Sequence, residues 1–251
     1  MTNSSSNASN NSPVAIITGG AGGIGSAIAR RLARDGITVV IGYSTSIEPA
    51  QRLLQEFETQ GFTASAVQAD MRRAEDVARL FETVQARHGR IDHVINNAGT
   101  VVPRPLAEIN DALYDAVFDV NVRGALHVLS HAARHLGDGG RIVNTSSTLV
   151  GAPIAGSALY AASKAALELF GAVAAKELGP RGITVNSLRV GAVVPGMFSK
   201  APPERQAAMA AASPFKRLGR PDDVADVVAF LVSDAGRWIT GQTITVDGGS
   251  T

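Results

Sequence analysis

The sequence predicts one α/β domain in which a doubly wound parallel sheet lies between two layers of helices. Seven short β-rich runs, VAIITGG, ITVVIGY, ASAVQAD, DHVINNAG, GRIVNTSS, ITVNSLRVG and QTITVDGG, alternate with Ala/Leu-rich segments of helical length. Repetition of that kind joins parallel strands through crossover helices. The turn between the first strand and the first helix holds glycines at 19, 20, 22, 23 and 25. A chain of 251 residues, 45% hydrophobic and 18% charged, can bury one sizeable core. In such a sheet ligands bind beyond the carboxyl ends of the strands, where the strand order reverses.

The opening MTNSSSNASNNSP, residues 1–13, has neither a basic start nor an apolar run, so it reads as a disordered tail rather than a secretory signal. The triplets at Asn3, Asn7 and Asn10 match a glycosylation pattern that has no meaning without secretion. The folded domain is expected over 14–251. A formal charge of +1 gives no electrostatic footprint for nucleic acid or an anionic membrane. The absence of cysteine removes disulfides and thiolate chemistry and fits a reducing, cytoplasmic setting. No apolar run is read as long enough to span a bilayer.

The first strand, turn and helix, VAIITGGAGGIGSAIARRLARDG, predict a nucleotide site. Glycines let the backbone approach a pyrophosphate closely, and the following helix offers free N–H groups and a positive dipole end. Two registers fit: Gly20, Gly22 and Gly25 as G-x-G-x-x-G, or Thr18, Gly19, Gly23 and Gly25 as T-G-x-x-x-G-x-G. At the end of the second strand a free ribose usually meets an Asp or Glu. Here Tyr43 and Ser44 stand there, with Asp35 and Glu48 before and after. NADP is therefore favoured over NAD, its 2′-phosphate meeting Ser44, Thr45 and Ser46, with Arg52 nearby.

In the segment ALYAASKAALELF, 158–170, Tyr160 and Lys164 fall on one face of a helix, a turn apart. Ser147 ends the fifth strand, which can face the start of that helix across the carboxyl edge. A tyrosine titrates near 10, so a lysine ammonium and a nicotinamide cation beside it are expected to lower it into a usable range. With Ser147 holding a substrate oxygen, the three residues predict a hydride-transfer site. His127, His131 and His135 recur at i, i+4, i+8, but no carboxylate joins them in a metal-binding arrangement and no metal is expected. Arg217 and Arg220 read as solvated or interfacial.

These stretches, TGGAGGIG at 18–25, NNAG at 96–99, Asn121 in FDVNVRGAL, Ser147, YAASK at 160–164 and the C-terminal FKRLGRPDDVADVVAFLVSDAGRWITGQTITVDGG, resemble the short-chain dehydrogenase/reductase family in its compact single-domain branch. The likeness covers essentially everything after the tail and includes 3-oxoacyl-carrier-protein reductases. The resemblance implies a Rossmann-type fold, Tyr160 as general acid/base, Ser147 polarising the carbonyl or alcohol, Lys164 on the nicotinamide ribose and Asn121 holding a water in a proton relay. It also implies cofactor contacts from Gly19, Gly22, Gly23, Ile24 and Gly25, from Asp70 and Met71 beside the adenine, from Asn97, Ala98 and Gly99, and from Gly191 and the Val193 backbone. One departure stands out. Val190 replaces a proline common after the sixth strand, and Pro195 stands where a cofactor-touching threonine is usual, which removes a contact and stiffens the start of the lid.

The segment GMFSKAPPERQAAMAAASPF, 196–215, reads as a lid with a short helix, the whole lid region running from about 191 to 215. Met197, Phe198 and Met209 could cover an apolar substrate, and Thr148, Leu149, Val150, Pro153 and Ile154 form its wall. Lys200 and Arg205 could meet an anionic carrier, although HLGDGGRI lacks the basic pattern expected of carrier docking. The expected activity is NADP(H)-dependent interconversion of a small-molecule carbonyl and an alcohol, with 4-pro-S transfer implied by the resemblance. The resemblance also implies a homotetramer built on VNVRGALHVL, YAASKAALELF and the ITVDGG edge. Alternatives are an NAD-dependent alcohol or sugar dehydrogenase and a nucleotide-binding regulator without turnover. A dehydratase or epimerase of the extended relatives would want a longer C-terminal part.

Overall fold

The computed structural model describes residues 12–251. The expected tail, with Asn3, Asn7 and Asn10, therefore lies outside the described residues except for Ser12 and Pro13. Pro13 already belongs to the fold, because its carbonyl accepts from Thr38 N at 2.8 Å.

Seven strands form one sheet: β1 (Val14–Thr18), β2 (Thr38–Tyr43), β3 (Ala64–Gln68), β4 (His93–Asn96), β5 (Arg141–Ser147), β6 (Thr184–Val190) and β7 (Thr243–Val246). Their order is β3-β2-β1-β4-β5-β6-β7, and every neighbouring pair is parallel. This is the predicted doubly wound arrangement, and the order reverses between β1 and β4. Parallel strands need helices on both faces, so their central members are apolar on both sides rather than alternating. In β1, Val14 and Ile16 enter one core while Ala15 and Ile17 enter the other.

Helices α1 (Gly23–Arg34), α2 (Glu48–Thr59) and α8 (Pro221–Val232) cover one face, contributing Ile28, Leu32, Leu53, Phe57, Val224 and Val228. On the other face lie α3 (Ala74–His88), α5 (Ala125–His135) and α6 (Ala158–Leu178), with Leu80, Phe81, Val128 and Leu167 buried among them. Helix α4 (Asp111–Phe118) is capped by Asn110, whose side chain accepts from Leu113 N. It runs into α5 through a widened π-helical segment, Asp119–Gly124. After β6 come a short 3-10 turn at Met197–Lys200 and α7 (Pro203–Ala212), the helix expected in the lid.

The membrane expectation needs one correction. The segment Ala158–Arg181, which contains α6, is long and apolar enough by length and composition to cross a bilayer. A third of its apolar stretch is buried on the sheet side, while Leu169 and Val173 stand exposed on the outer side. It packs on β5 and β6 and buries Lys164 and Glu168.

Ile17 is fully buried at the centre of the sheet. Ile17→Ala is expected to cost about 2–5 kcal/mol of stability through lost burial and an unfilled cavity, read from urea unfolding followed by circular dichroism.

Candidate active site

At the reversal point the ends of β1 and β4 are bolted together. Thr18 Oγ1 accepts from the backbone N–H groups of Asn97 at 2.9 Å and Ala98 at 3.0 Å, while Asn97 Nδ2 donates to Thr18 O at 3.1 Å. Gly19 follows with φ +63°, which favours glycine. A Cβ on Gly23 would lie 2.5 Å from Pro195 O and one on Gly25 2.3 Å from Gly19 O, whereas one on Gly22 meets nothing closer than 3.3 Å. A Cβ on Gly20 would in turn lie 2.9 Å from Ile17 O, so both registers contain glycines that packing holds free of a side chain, and only Gly22 has room. Ile24 packs on the core behind. Helix α1 has no side-chain cap and no acid in its first turn, which leaves its first N–H groups for a ligand. A close, side-chain-free approach to an uncapped twelve-residue helix fits a pyrophosphate.

Beyond β2, Tyr43 packs partly against the core while Ser44 and Thr45 are exposed, and no carboxylate stands among residues 43–46. Gln68 Nε2 holds Ser44 O at 2.9 Å, fixing this edge to β3. Arg72 grips the Asp70 carboxylate bidentately, which holds it below the usual carboxylate range. Met71 is not beside Asp70 at the surface. Its side chain lies in the core, and its backbone and Cβ sit where Gly124 leaves room for them.

Ser147, Tyr160 and Lys164 come together as their spacing suggested. Ser147 ends β5 opposite Val190; its Oγ accepts from Leu149 N at 3.2 Å, and its hydroxyl lies close enough to the Tyr160 side chain, in the first turn of α6, to lower that phenol's pKa. One turn on, Lys164 Nζ donates to Thr145 O at 2.7 Å and lies 5.8 Å from the Tyr160 ring centroid. Only 2% of Lys164 is exposed, and burial pushes its pKa down to about 8. Burial likewise pushes the Tyr160 hydroxyl above its ordinary value, and the neighbouring Ser147 hydroxyl offsets only part of this. In the chain by itself the lysine therefore does not bring the phenol into a usable range. Its ammonium faces a carbonyl of β5 from beneath the ring, and desolvation dominates both groups.

Asn121 sits in the π-helical segment with its amide fully engaged. Its Nδ2 donates to Thr100 O at 2.8 Å and Ser163 Oγ at 3.0 Å, and its Oδ1 accepts from Thr100 N at 2.8 Å. Ser163 in turn donates to Tyr160 O at 2.7 Å, so Asn121 ties α6 to the loop after β4. Gly99 leaves room here, since a Cβ would stand 3.2 Å from Lys164 Nζ and 3.3 Å from Asn121 Oδ1 and crowd both.

The ends of β6 and β7 close the other side. Gly191 passes Asp247, whose Cβ would be 2.7 Å from any Cβ at 191. Val193 bridges Gly219 through bonds from Val194 N to Gly219 O and from Gly219 N to Ala192 O, and neither uses the N–H or C=O of Val193 itself. Pro195 carries the chain over Gly23. Met197 and Pro153 are exposed, Leu149 is half-buried, and Phe198 is half-buried with the Arg205 guanidinium 5.9 Å from its ring. His131 stacks on Phe81 and on His135, whose ring is tilted against Phe81, a packing role away from this edge.

Sequence reasoning missed Thr100, Thr145 and Ser163, whose backbone or hydroxyl groups hold the expected residues in place. It also missed Glu168, although Glu168 continues the Tyr160, Lys164 stripe at i+8, a signal that was present.

A family model described as Enoyl-(Acyl carrier protein) reductase matches residues 19–251. An uncharacterized oxidoreductase of Methylorubrum extorquens is 41% identical over 94% of this chain and 96% of its own, and the short chain dehydrogenase/reductase AacuN of Aspergillus aculeatus is 40% identical over 94% and 95%. A short chain dehydrogenase from Burkholderia cenocepacia, solved in complex with NADP, superposes with TM-score 0.90 at 42% identity, covering 95% of this chain and 97% of that one. A blue fluorescent protein from a metagenomic library, solved in complex with NADPH, has TM-score 0.90 at 38% identity over 95% and 98%.

Burying Lys164 carries a stability cost with a defined pH window. Its pKa of about 8 lies below the ordinary 10.5, so the unfolded chain binds a proton that the folded chain has shed between those values. Stability is lost as pH falls from about 10.5 to about 8 and stays lower beneath. Lys164→Met is expected to be more stable than the unaltered protein at pH 7, by on the order of 2 kcal/mol, and the difference should close above pH 8. Urea unfolding across pH 6–10 checks this.

Proposed function

This chain belongs to the short-chain dehydrogenase/reductase family of NAD(P)-dependent oxidoreductases, and we propose that it interconverts a small-molecule carbonyl and an alcohol with NADP(H) through Ser147, Tyr160 and Lys164. The observation that carries this reading is the convergence of the Ser147 and Tyr160 side chains on the buried Lys164 ammonium, fixed on Thr145 O at 2.7 Å and 5.8 Å from the Tyr160 ring, at the carboxyl edge that also holds the glycine turn. Two hydroxyls brought side by side there can receive one substrate oxygen together.

Gly19, Gly22, Gly23, Ile24 and Gly25 would hold the pyrophosphate, Asn97, Ala98 and Gly99 the middle of the cofactor, and the free backbone groups of Val193 the carboxamide, with Gly191 giving room. Asp70 would flank the adenine. Because Arg72 already neutralises it, Asp70 leaves the nearby edge without an unpaired carboxylate. Ser44 and Thr45 are exposed where a 2′-phosphate would lie, and related structures hold NADP or NADPH. These points support NADP over NAD. When bound, the dinucleotide supplies the hydride and, in its oxidised form, a positive charge beside the phenol.

Tyr160 keeps its proton at neutral pH and donates it to the oxygen of a carbonyl being reduced. Ser147 orients that oxygen by a second hydrogen bond. Lys164, fixed by Thr145 O, would bind the ribose, and its charge opposes the effect of burial on the phenol. Asn121 holds the Thr100 loop and α6 at a set separation and would anchor a proton relay. The half-buried Leu149 and Phe198, with Pro153 and Met197 at the rim, suit an apolar substrate. Exposed Leu126, Leu169 and Val173 along α5 and α6, and Trp238 near β7, support assembly into the homotetramer.

Oxidation of NADPH and NADH at 340 nm against a panel of ketones and 3-oxoacyl thioesters tests the reading. Turnover should favour NADPH, and Tyr160→Phe should lower kcat by about 10²–10⁴-fold with NADPH affinity within twofold. Because the raised Tyr160 value favours the protonated phenol, alcohol oxidation should climb with pH across a range where carbonyl reduction stays flat. Full activity in Tyr160→Phe would sink the assignment of Tyr160 as the proton donor, and tight NADPH binding without turnover on any substrate would sink the catalytic reading and favour the regulator.

A further inference from the structure

The stripe Tyr160, Lys164 continues one turn further to Glu168, which is buried and to which nothing above gives a role. Ser146, the residue before Ser147, donates from Oγ to Glu168 Oε1 at 2.6 Å. Arg189, the register partner of Ser146 on β6, donates from Nε to Oε1 at 2.9 Å and from Nη2 to Oε2 at 2.7 Å. The remaining guanidinium nitrogen, Nη1, lies against the loop after Ser147, where a Cβ on Gly151 would be 3.2 Å away. One carboxylate thus joins the helix that carries Tyr160 and Lys164 to the strand that carries Ser147 and to the strand opposite it.

We propose that Glu168 and Arg189 are positioning residues for the reaction. Their bidentate pair, closed by Ser146, holds Ser147 against Tyr160 and keeps the net charge one turn from Lys164 at zero. This rests on the reading of Ser147, Tyr160 and Lys164 given above. A bidentate pair with a third hydrogen bond sets direction as well as distance. A lone carboxylate at the buried Glu168 would act on Lys164 through a poorly screened medium, and a lone guanidinium at Arg189, a third exposed, would act through partial screening. Other charged groups on the elements around α6 are less placed to do so. Asp115 on α4 is exposed, Asp119 in the π-helical segment pairs with Arg123 at 3.1 Å, and His127 on α5 faces Met71 O. Arg141 lies at the far end of β5, Arg104 bonds its own loop at Pro103 O, Lys176 and Glu177 are exposed at the other end of α6, and Arg181 pairs with Asp138.

The test reads Lys164 in the free protein, by ε-carbon NMR of labelled lysines, with the Lys164 signal identified by its loss in Lys164→Met. Glu168→Gln leaves Arg189 uncompensated and should lower the Lys164 midpoint by roughly half to one pH unit; Arg189→Met leaves Glu168 uncompensated and should raise it by a similar amount. The double variant should return to the unaltered value, a compensation that simple loosening of the fold does not produce. Ser146→Ala, which keeps the charges, should leave the midpoint in place and lower kcat severalfold. A midpoint that Glu168→Gln leaves unmoved overturns the proposal, and this nearly isosteric variant decides alone if Arg189→Met does not fold. A double variant that stays shifted also overturns it. Because the readout needs neither substrate nor cofactor, absence of turnover in the 340 nm assay would count against the catalytic reading and leave the titration to judge the pair.

Discussion

A lysine ammonium buried with no carboxylate partner of its own is the constraint around which this edge is organised. Lys164 has one protein acceptor, the carbonyl of Thr145, and burial of that kind is tolerated only where the surroundings hold the group rigidly. Rigidity comes from three directions. Asn121 ties the start of α6 to the Thr100 loop, Thr18 and Asn97 join β1 to β4, and Glu168 with Arg189 ties the next turn of α6 to β5 and β6. A site that carries this cost in the free protein is prepared for a ligand that brings its own charges.

The glycine turn shows the same economy of contact. Side chains are missing where backbone meets backbone, at Gly23 against Pro195 and at Gly25 against Gly19, so the turn, the first helix and the start of the lid form one close-packed corner. Pro195 is part of that corner. The threonine hydroxyl usual at its position is absent, and a carbonyl packed over the glycine turn is what this chain has there.

Charge is neutralised locally throughout the edge. Asp70 is taken by Arg72 and Glu168 by Arg189. Among the described residues facing the site, Lys164 is the buried charge left without a counter-ion, and an uncompensated charge is the one a neighbouring proton equilibrium feels.

Much of this was legible in the sequence, because the signals are local. Alternating β-rich runs and helical segments dictate a parallel sheet, a four-residue interval puts Tyr160 and Lys164 on one face, and a glycine turn between strand and helix marks the phosphate end. Each follows from backbone geometry repeating over a few residues. What tertiary structure decided were the partnerships between segments far apart in the chain. The need for glycine at 23 depends on the approach of Pro195, the burial of Met71 on the space left by Gly124, and the stance of Lys164 on Thr145. Pairing of Glu168 with Arg189 depends on a strand register that places Arg189 beside Ser146. The upward push of burial on Tyr160 in the chain alone was likewise beyond a sequence reading, since an interval along a helix reports which groups are neighbours and not how much water the packed protein has removed from around them.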